Sequence, residues 1–152
     1  MGRTTDLILD TTAQHADRKT GQAFRLTLAA ASGSTAFVDL TLEMVQWNLR
    51  LEYRWGCCGA DLVRFADSLE RLHATLEGEA LFYDLDQVVE LTFRIADRGR
   101  GRLSVEGRID QHVDRGIRNL IPLRGFELEQ SYVPGIVRDI RQFVSEFEIC
   151  TR

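Results

Sequence analysis

The chain contains 152 residues, of which 44% are hydrophobic and 28% charged, and it carries a net charge of −4. This composition predicts one globular domain over residues 1–152 and excludes disordered and collagen-like chains. No apolar run is long enough to span a membrane, and the net acidity argues against a nucleic-acid partner. The N-terminus lacks the apolar stretch of a signal peptide, so we expect a cytoplasmic protein without a membrane partner.

The first third of the chain shows the alternation of β-strands. Residues 7–9 are expected to form a short strand and residues 10–21 a polar loop, and Ser32-Gly33-Ser34 is typical of a hairpin turn between two alternating stretches. Alternation is strictest over Val45–Trp55, which predicts a strand with one buried face.

The pattern then changes to a helical one and later returns to strands. Apolar residues at spacings of three and four predict amphipathic helices at about 60–77 and 131–147. Between them, strands are expected at 80–84, 88–95, 103–109 and 117–128, with a polar loop at 110–116. Strands in runs predict an α+β fold, with a mostly antiparallel sheet and two amphipathic helices packed on one face. The predicted core comprises Trp47, Leu49, Leu51, Phe65, Leu69, Leu72, Leu91, Phe93, Val105, Ile140 and Phe143.

Charge is distributed unevenly along the chain. Residues 61–97 contain nine acidic and three basic side chains, a net charge of −6, whereas residues 98–126 have a net charge of +4. One interpretation is that acidic residues on or near the first helix contact a basic partner. The other is that they pair with the arginines of 98–124 in the same molecule. The candidate partner-binding residues are Asp67, Glu70, Glu77 and Glu79.

The sequence contains no motif for catalysis, and no catalytic residue, cofactor or metal is expected. Gly99-Arg100-Gly101 lies between two predicted strands, which is the context of a hairpin turn and not of a phosphate-binding loop. Asp110, His112 and Asp114 form at most a weak cation site, and a solvated loop is the simpler interpretation, since hard cations need more oxygen ligands.

Two adjacent thiols, Cys57 and Cys58, precede the first predicted helix. A helix N-terminus lowers the pKa of a thiol, so a reactive cysteine is one interpretation. No histidine stands in a recognisable relation to them, and in a cytoplasmic protein we expect both to be reduced and replaceable by serine.

Aromatic residues support a rival interpretation of the protein. In this interpretation Trp47, Tyr53, Trp55 and Tyr83 line the pocket of a small-molecule-binding or enzymatic domain, although an aromatic stripe is more often plain core. A third interpretation is an oligomerisation or scaffold module.

Several segments from about Val45 to Phe147 resemble WapI-type immunity proteins, small bacterial proteins encoded beside polymorphic toxin genes. The resemblance begins with a tryptophan-rich strand and continues through Asp61–Phe65, Leu76–Ala80, Val88–Phe93, Gly101–Gly107 and Phe126–Tyr132, in that order. Residues 1–44 match nothing in this family.

The resemblance implies a non-enzymatic, cytoplasmic protein-binding module that neutralises a toxin, and the family carries no catalytic residues. Its partner would be a toxin domain, and the net acidity of this chain suits a basic one.

Overall fold

The computed structural model describes residues 4–5, 23–31, 36–46, 48–84, 86–147 and 149. Within these residues the chain forms eight strands and two α-helices. In chain order they are β1 (Thr4–Thr5), β2 (Ala23–Ala30), β3 (Phe37–Gln46), β4 (Leu49–Cys58), α1 (Gly59–Thr75), β5 (Glu79–Tyr83), β6 (Val89–Asp97), β7 (Arg102–Val113), β8 (Ile117–Glu129) and α2 (Val133–Glu146).

The strands form two antiparallel sheets, whereas the sequence suggested one. The N-terminal sheet has the order β1-β2-β3-β4, and the C-terminal sheet has the order β5-β6-β7-β8. The division falls at α1, because β4 runs directly into this helix and β5 begins after it. The predicted fold class is confirmed: the protein is α+β, with antiparallel sheets and two amphipathic helices.

Helix α1 begins and ends at recognisable signals. The Asp61 carboxylate accepts a hydrogen bond of 3.1 Å from the backbone N–H of Cys58, which stabilises the first turn. After Thr75 the backbone of Leu76 turns left-handed, with φ of 54°, and stops the helix. Its buried face comprises Gly59, Asp61, Leu62, Phe65, Ala66, Leu69 and Leu72.

The core lies against the inner face of the C-terminal sheet. Strand register places Phe93, Val105 and Phe126 side by side on this face. The ring of Phe65 on α1 lies 5.2 Å from the Phe93 ring, and the ring of Phe24 on β2 lies 5.2 Å from the Phe126 ring. This face is therefore covered by α1 at one end and by the N-terminal sheet at the other.

Helix α2 packs against α1. It follows a 3₁₀ turn at Gln130–Tyr132, so the α-helix starts two residues later than the sequence suggested. Its apolar side is buried through Val133, Ile136, Val137, Ile140 and Phe143. Among the described residues, no helix combines the length and the apolar composition needed to cross a membrane.

Most of the predicted core is buried, with one error at the start of β4. The single strand predicted over Val45–Trp55 is divided by the β3–β4 hairpin, and Leu49, which pairs with Gln46 at the end of this hairpin, is 54% exposed. Leu51 is half-buried, because β4 is an edge strand. Trp47 lies outside the described residues. The remaining predictions are confirmed: Phe65, Leu69, Leu72, Leu91, Phe93, Val105, Ile140 and Phe143 are buried.

The predicted loop at 110–116 was wrong for most of its length. Strand β7 continues to Val113, which pairs with Ile117. The ladder between β7 and β8 extends past Ile109, the residue that pairs with the first residue of β6. Strands β7 and β8 are joined by a short turn at Asp114–Gly116, where Arg115 and Gly116 both have positive φ. The predicted strand at 7–9, loop at 10–21 and turn at 32–34 lie outside the described residues.

Candidate partner-binding surface

Asp67 and Glu70 lie one helical turn apart on the exposed side of α1, and both contact Arg141 of α2. Arg141 Nη2 donates to Asp67 Oδ1 at 3.0 Å and to Glu70 Oε2 at 2.7 Å, and Nη1 donates to Glu70 Oε1 at 3.2 Å. We call these three residues the acidic cluster, because two carboxylates share one guanidinium and leave a net charge of −1.

The ion pairs within the acidic cluster shift the pKa values of its members, although the side chains remain exposed on the surface. Hydrogen bonding to Arg141 lowers the pKa of the Glu70 carboxyl below its usual range, and the same contacts raise the pKa of Arg141. The side chains of Asp67 and Glu70 are 60% and 58% exposed. Exposed ion pairs of this kind contribute little to stability, because solvent screens them, so competition for these carboxylates costs little.

The other two predicted residues lie at the end of α1 and the start of β5. Glu77 is 3.6 Å from Arg98, and Glu79 Oε2 accepts a hydrogen bond of 2.8 Å from Arg94. Arg94 also lies 3.9 Å from Glu106, so here too two carboxylates share one arginine. The four candidates therefore form separate ion-pair groups, with Asp67 and Glu70 brought together by Arg141.

The alternative of pairing within one molecule describes part of this surface. Arg98 and Arg108 pair with Glu77 and Glu90, so the basic segment does neutralise part of the acidic one. Asp67 and Glu70 differ, because their cation comes from α2 and not from residues 98–124.

A groove lies beside the acidic cluster, between α1 and α2, with a volume of about 580 Å³. Val133 and Val137 are buried and form its apolar floor, next to the exposed ring of Pro134. Sequence reasoning missed the groove, because it depends on how two helices far apart in the chain pack together. Its lining residues are Glu70, His73, Val133, Pro134, Val137, Arg138, Arg141 and Gln142.

The two thiols next to α1 are free but not activated. Cys57 is buried, and burial together with the nearby Asp61 carboxylate raises the pKa of its thiol. The pKa of Cys58 is also raised, first by burial and then by Asp61. A thiol with a raised pKa stays protonated at neutral pH, which argues against the interpretation as a reactive cysteine. Cys150 lies outside the described residues.

Asp110 is committed to an ion pair and not to a cation site. Its carboxylate is buried and accepts hydrogen bonds from Arg118 Nε, at 3.1 Å, and from Arg118 Nη2. This pairing lowers the pKa of Asp110. His112 lies in β7 opposite Arg118. In the part of the chain that the structure describes, no three His, Cys, Asp or Glu side chains are grouped as metal ligands.

Two aromatic residues of the rival interpretation, Tyr53 and Trp55, pack against the core, whereas Tyr83 is exposed. The Trp55 ring lies 6.3 Å from the Phe82 ring and 6.0 Å from the Tyr53 ring. The guanidinium of Arg64 lies 5.1 Å above the Tyr83 ring in a cation–π contact. Trp47 lies outside the described residues, and the α1–α2 groove is lined by none of these aromatic residues.

The fold and this surface define a small α+β domain whose helix pair presents an acidic cluster next to an open groove. The model of the immunity protein WapI-like family matches residues 59–148, more than half of the sequence, and the chain belongs to this family. The match begins at the first residue of α1 and ends two residues after α2, so it comprises the C-terminal sheet and both helices. No curated protein and no solved structure matches the chain.

Proposed function

We propose that this protein is an immunity protein that binds a toxin domain and neutralises it by covering its active surface. Membership of the immunity protein WapI-like family is the observation that carries the proposal. Inhibition by occlusion needs a complementary surface and no catalytic groups, so the proposed protein is not an enzyme.

The chemistry of the surface supports a basic toxin domain as the partner. In the acidic cluster, and again at Glu79 and Glu106, two carboxylates share a single arginine. Such sites attract a positively charged surface at long range, which raises the association rate and suppresses acidic competitors.

The position of Asp67 and Glu70 also suits binding without refolding. Both side chains are exposed, while the buried side of α1 holds residues such as Leu69. A partner can therefore contact the carboxylates while the core stays packed.

The proposal places the protein in the cytoplasm. Cys57 and Cys58 are free thiols, a state that a reducing compartment maintains.

Co-expression with the product of the neighbouring gene tests the proposal. If that gene encodes a toxin domain, we expect cells to survive its expression only when this chain is present, and the two proteins to co-purify. Continued toxicity, or survival without a complex, would contradict neutralisation by occlusion. A metabolic enzyme in that position would favour the small-molecule-binding interpretation.

A further inference from the structure

The α1–α2 groove offers apolar surface that the described residues leave uncovered. Its volume of about 580 Å³ lies within the range of sites that accept side chains or small ligands, roughly 300–1,000 Å³. Val133, Pro134 and Val137 provide the apolar part of its lining. Removing such a surface from water contributes binding free energy in proportion to its area.

The charges around the groove favour a cationic occupant. Glu70 and Arg141 line it and belong to the acidic cluster, which has a net charge of −1. Arg138 also lines the groove, and its Nη2 lies 3.1 Å from Asp139 Oδ1, so this arginine is neutralised within α2. The charged residues of the lining, taken together with their ion-pair partners Asp67 and Asp139, therefore carry a net charge of −1.

The acidic cluster also has capacity for another hydrogen bond. Arg141 uses both oxygens of Glu70 but only Oδ1 of Asp67. Asp67 Oδ2 takes no part in these bonds with Arg141, and a carboxylate oxygen accepts a charge-assisted hydrogen bond from an ammonium or guanidinium group.

We therefore propose that the groove receives an apolar side chain of the toxin domain, with an adjacent lysine or arginine of the toxin bound to the acidic cluster. This inference rests on the proposed immunity function and deepens it, because it places the contact at one groove. Interface hot spots cluster in well-packed, desolvated pockets near the centre of an interface and are enriched in tryptophan, tyrosine and arginine.

Gln142 allows the charge preference to be tested, since it lines the groove and is exposed on α2. The probe is the toxin domain that the proposed function expects beside this gene, inactivated at its own active site, with its Kd measured by titration calorimetry. We expect Gln142→Lys to weaken binding at least tenfold, while Gln142→Glu binds as tightly as the wild type or more tightly. Gln111→Lys, at an exposed position of β7, is the matched control and should change Kd less than threefold.

Filling the groove tests the apolar contact. We expect Gln142→Trp to weaken binding at least tenfold, because the indole ring occupies the space of the incoming side chain. Gln111→Trp is the matched control and should bind like the wild type. Circular dichroism and thermal unfolding verify that each variant is folded.

Each possible result of these binding measurements either supports or overturns the inference. Wild-type affinity for both Gln142→Lys and Gln142→Trp overturns the groove as the contact, and leaves the proposed function intact because the wild type still binds. If only Gln142→Lys weakens binding, the apolar part of the occupant is overturned. If only Gln142→Trp weakens binding, the cationic part is overturned. A wild-type protein that neither binds nor protects overturns the inference and the proposed function together.

Discussion

Arg141 and Glu70 form a two-point ion pair across the α1–α2 interface, with N···O distances of 2.7 and 3.2 Å. The guanidinium faces both carboxylate oxygens, so the pair fixes the orientation of the two side chains as well as their charge. Because the residues lie 71 positions apart in the sequence, the pair connects the helix at the middle of the chain with the one near its end.

This pair makes the protonation of Glu70 depend on Arg141. The folded-state pKa of Glu70 is lowered, so its contribution to stability is present above the unfolded pKa of about 4.3 and is lost as pH falls through the folded pKa. We expect Arg141→Gln to raise the pKa of Glu70, measured by NMR titration of the carboxyl carbon. Arg138→Gln, which removes a pair with Asp139 instead, should leave that pKa unchanged. Equal pKa values for Glu70 in the wild type and Arg141→Gln would contradict the assignment.

Two leucines provide a matched test of the core. Leu69 is fully buried on α1, whereas Leu49 is exposed at the end of a hairpin. We expect Leu69→Ala to lower the free energy of unfolding by about 2–5 kcal/mol, because it leaves a cavity. Leu49→Ala should change it by less than about 0.5 kcal/mol. Urea denaturation measures both, and similar losses for the two variants would place the core elsewhere.

Gly107 is required by a close backbone approach between β6 and β7. A Cβ atom at this position would lie 2.1 Å from the carbonyl oxygen of Glu90, so the strands must shift to accept alanine. We expect Gly107→Ala to destabilise the fold by about 1–3 kcal/mol. Gly56→Ala is the strand control, since its Cβ would meet the Val38 carbonyl oxygen at an ordinary 3.8 Å. A loss of stability for Gly56→Ala as large as for Gly107→Ala would refute this reason.

The thiols should react slowly in the folded protein. Burial and Asp61 raise the pKa values of Cys57 and Cys58, and only the thiolate reacts with iodoacetamide. In a Cys150→Ser background, we expect alkylation of Cys58 to reach half its maximal rate above the usual thiol pKa range of about 8–9. Cys57 should react only after unfolding. Rapid labelling of either thiol at pH 7 would show an activated cysteine and reopen the enzymatic interpretation.

Local patterns in the sequence predicted both helices and most of the strands, but not the continuation of β7 through the expected loop at 110–116. The spacing of Phe65, Leu69 and Leu72 specifies which side of α1 is buried, and alternation specifies the inner faces of the strands. Periodicity does not state which strands share a sheet, so the division into two sheets was missed. Periodicity also does not show where a hairpin ends relative to the elements that pack on it, which explains the error at Leu49.

The candidate surface was only partly predictable for a different reason. Asp67 and Glu70 are recognisable as exposed because they lie off the apolar stripe of α1. Their shared cation, Arg141, and the groove beside them arise from tertiary packing between two helices, which a single sequence does not encode in any local pattern.

The association rate with the proposed toxin partner, measured over a series of salt concentrations, tests the central claim most directly. The variant is Asp67→Lys/Glu70→Lys, and the control is Asp39→Lys/Glu52→Lys, which makes the same change in charge at exposed positions of the N-terminal sheet. We predict that the first variant associates at least tenfold more slowly at low salt, and that the difference shrinks as salt screens the charges. The control should associate much faster than this variant. An unchanged rate for Asp67→Lys/Glu70→Lys at every ionic strength would contradict the account, because it would remove the acidic cluster from the interface.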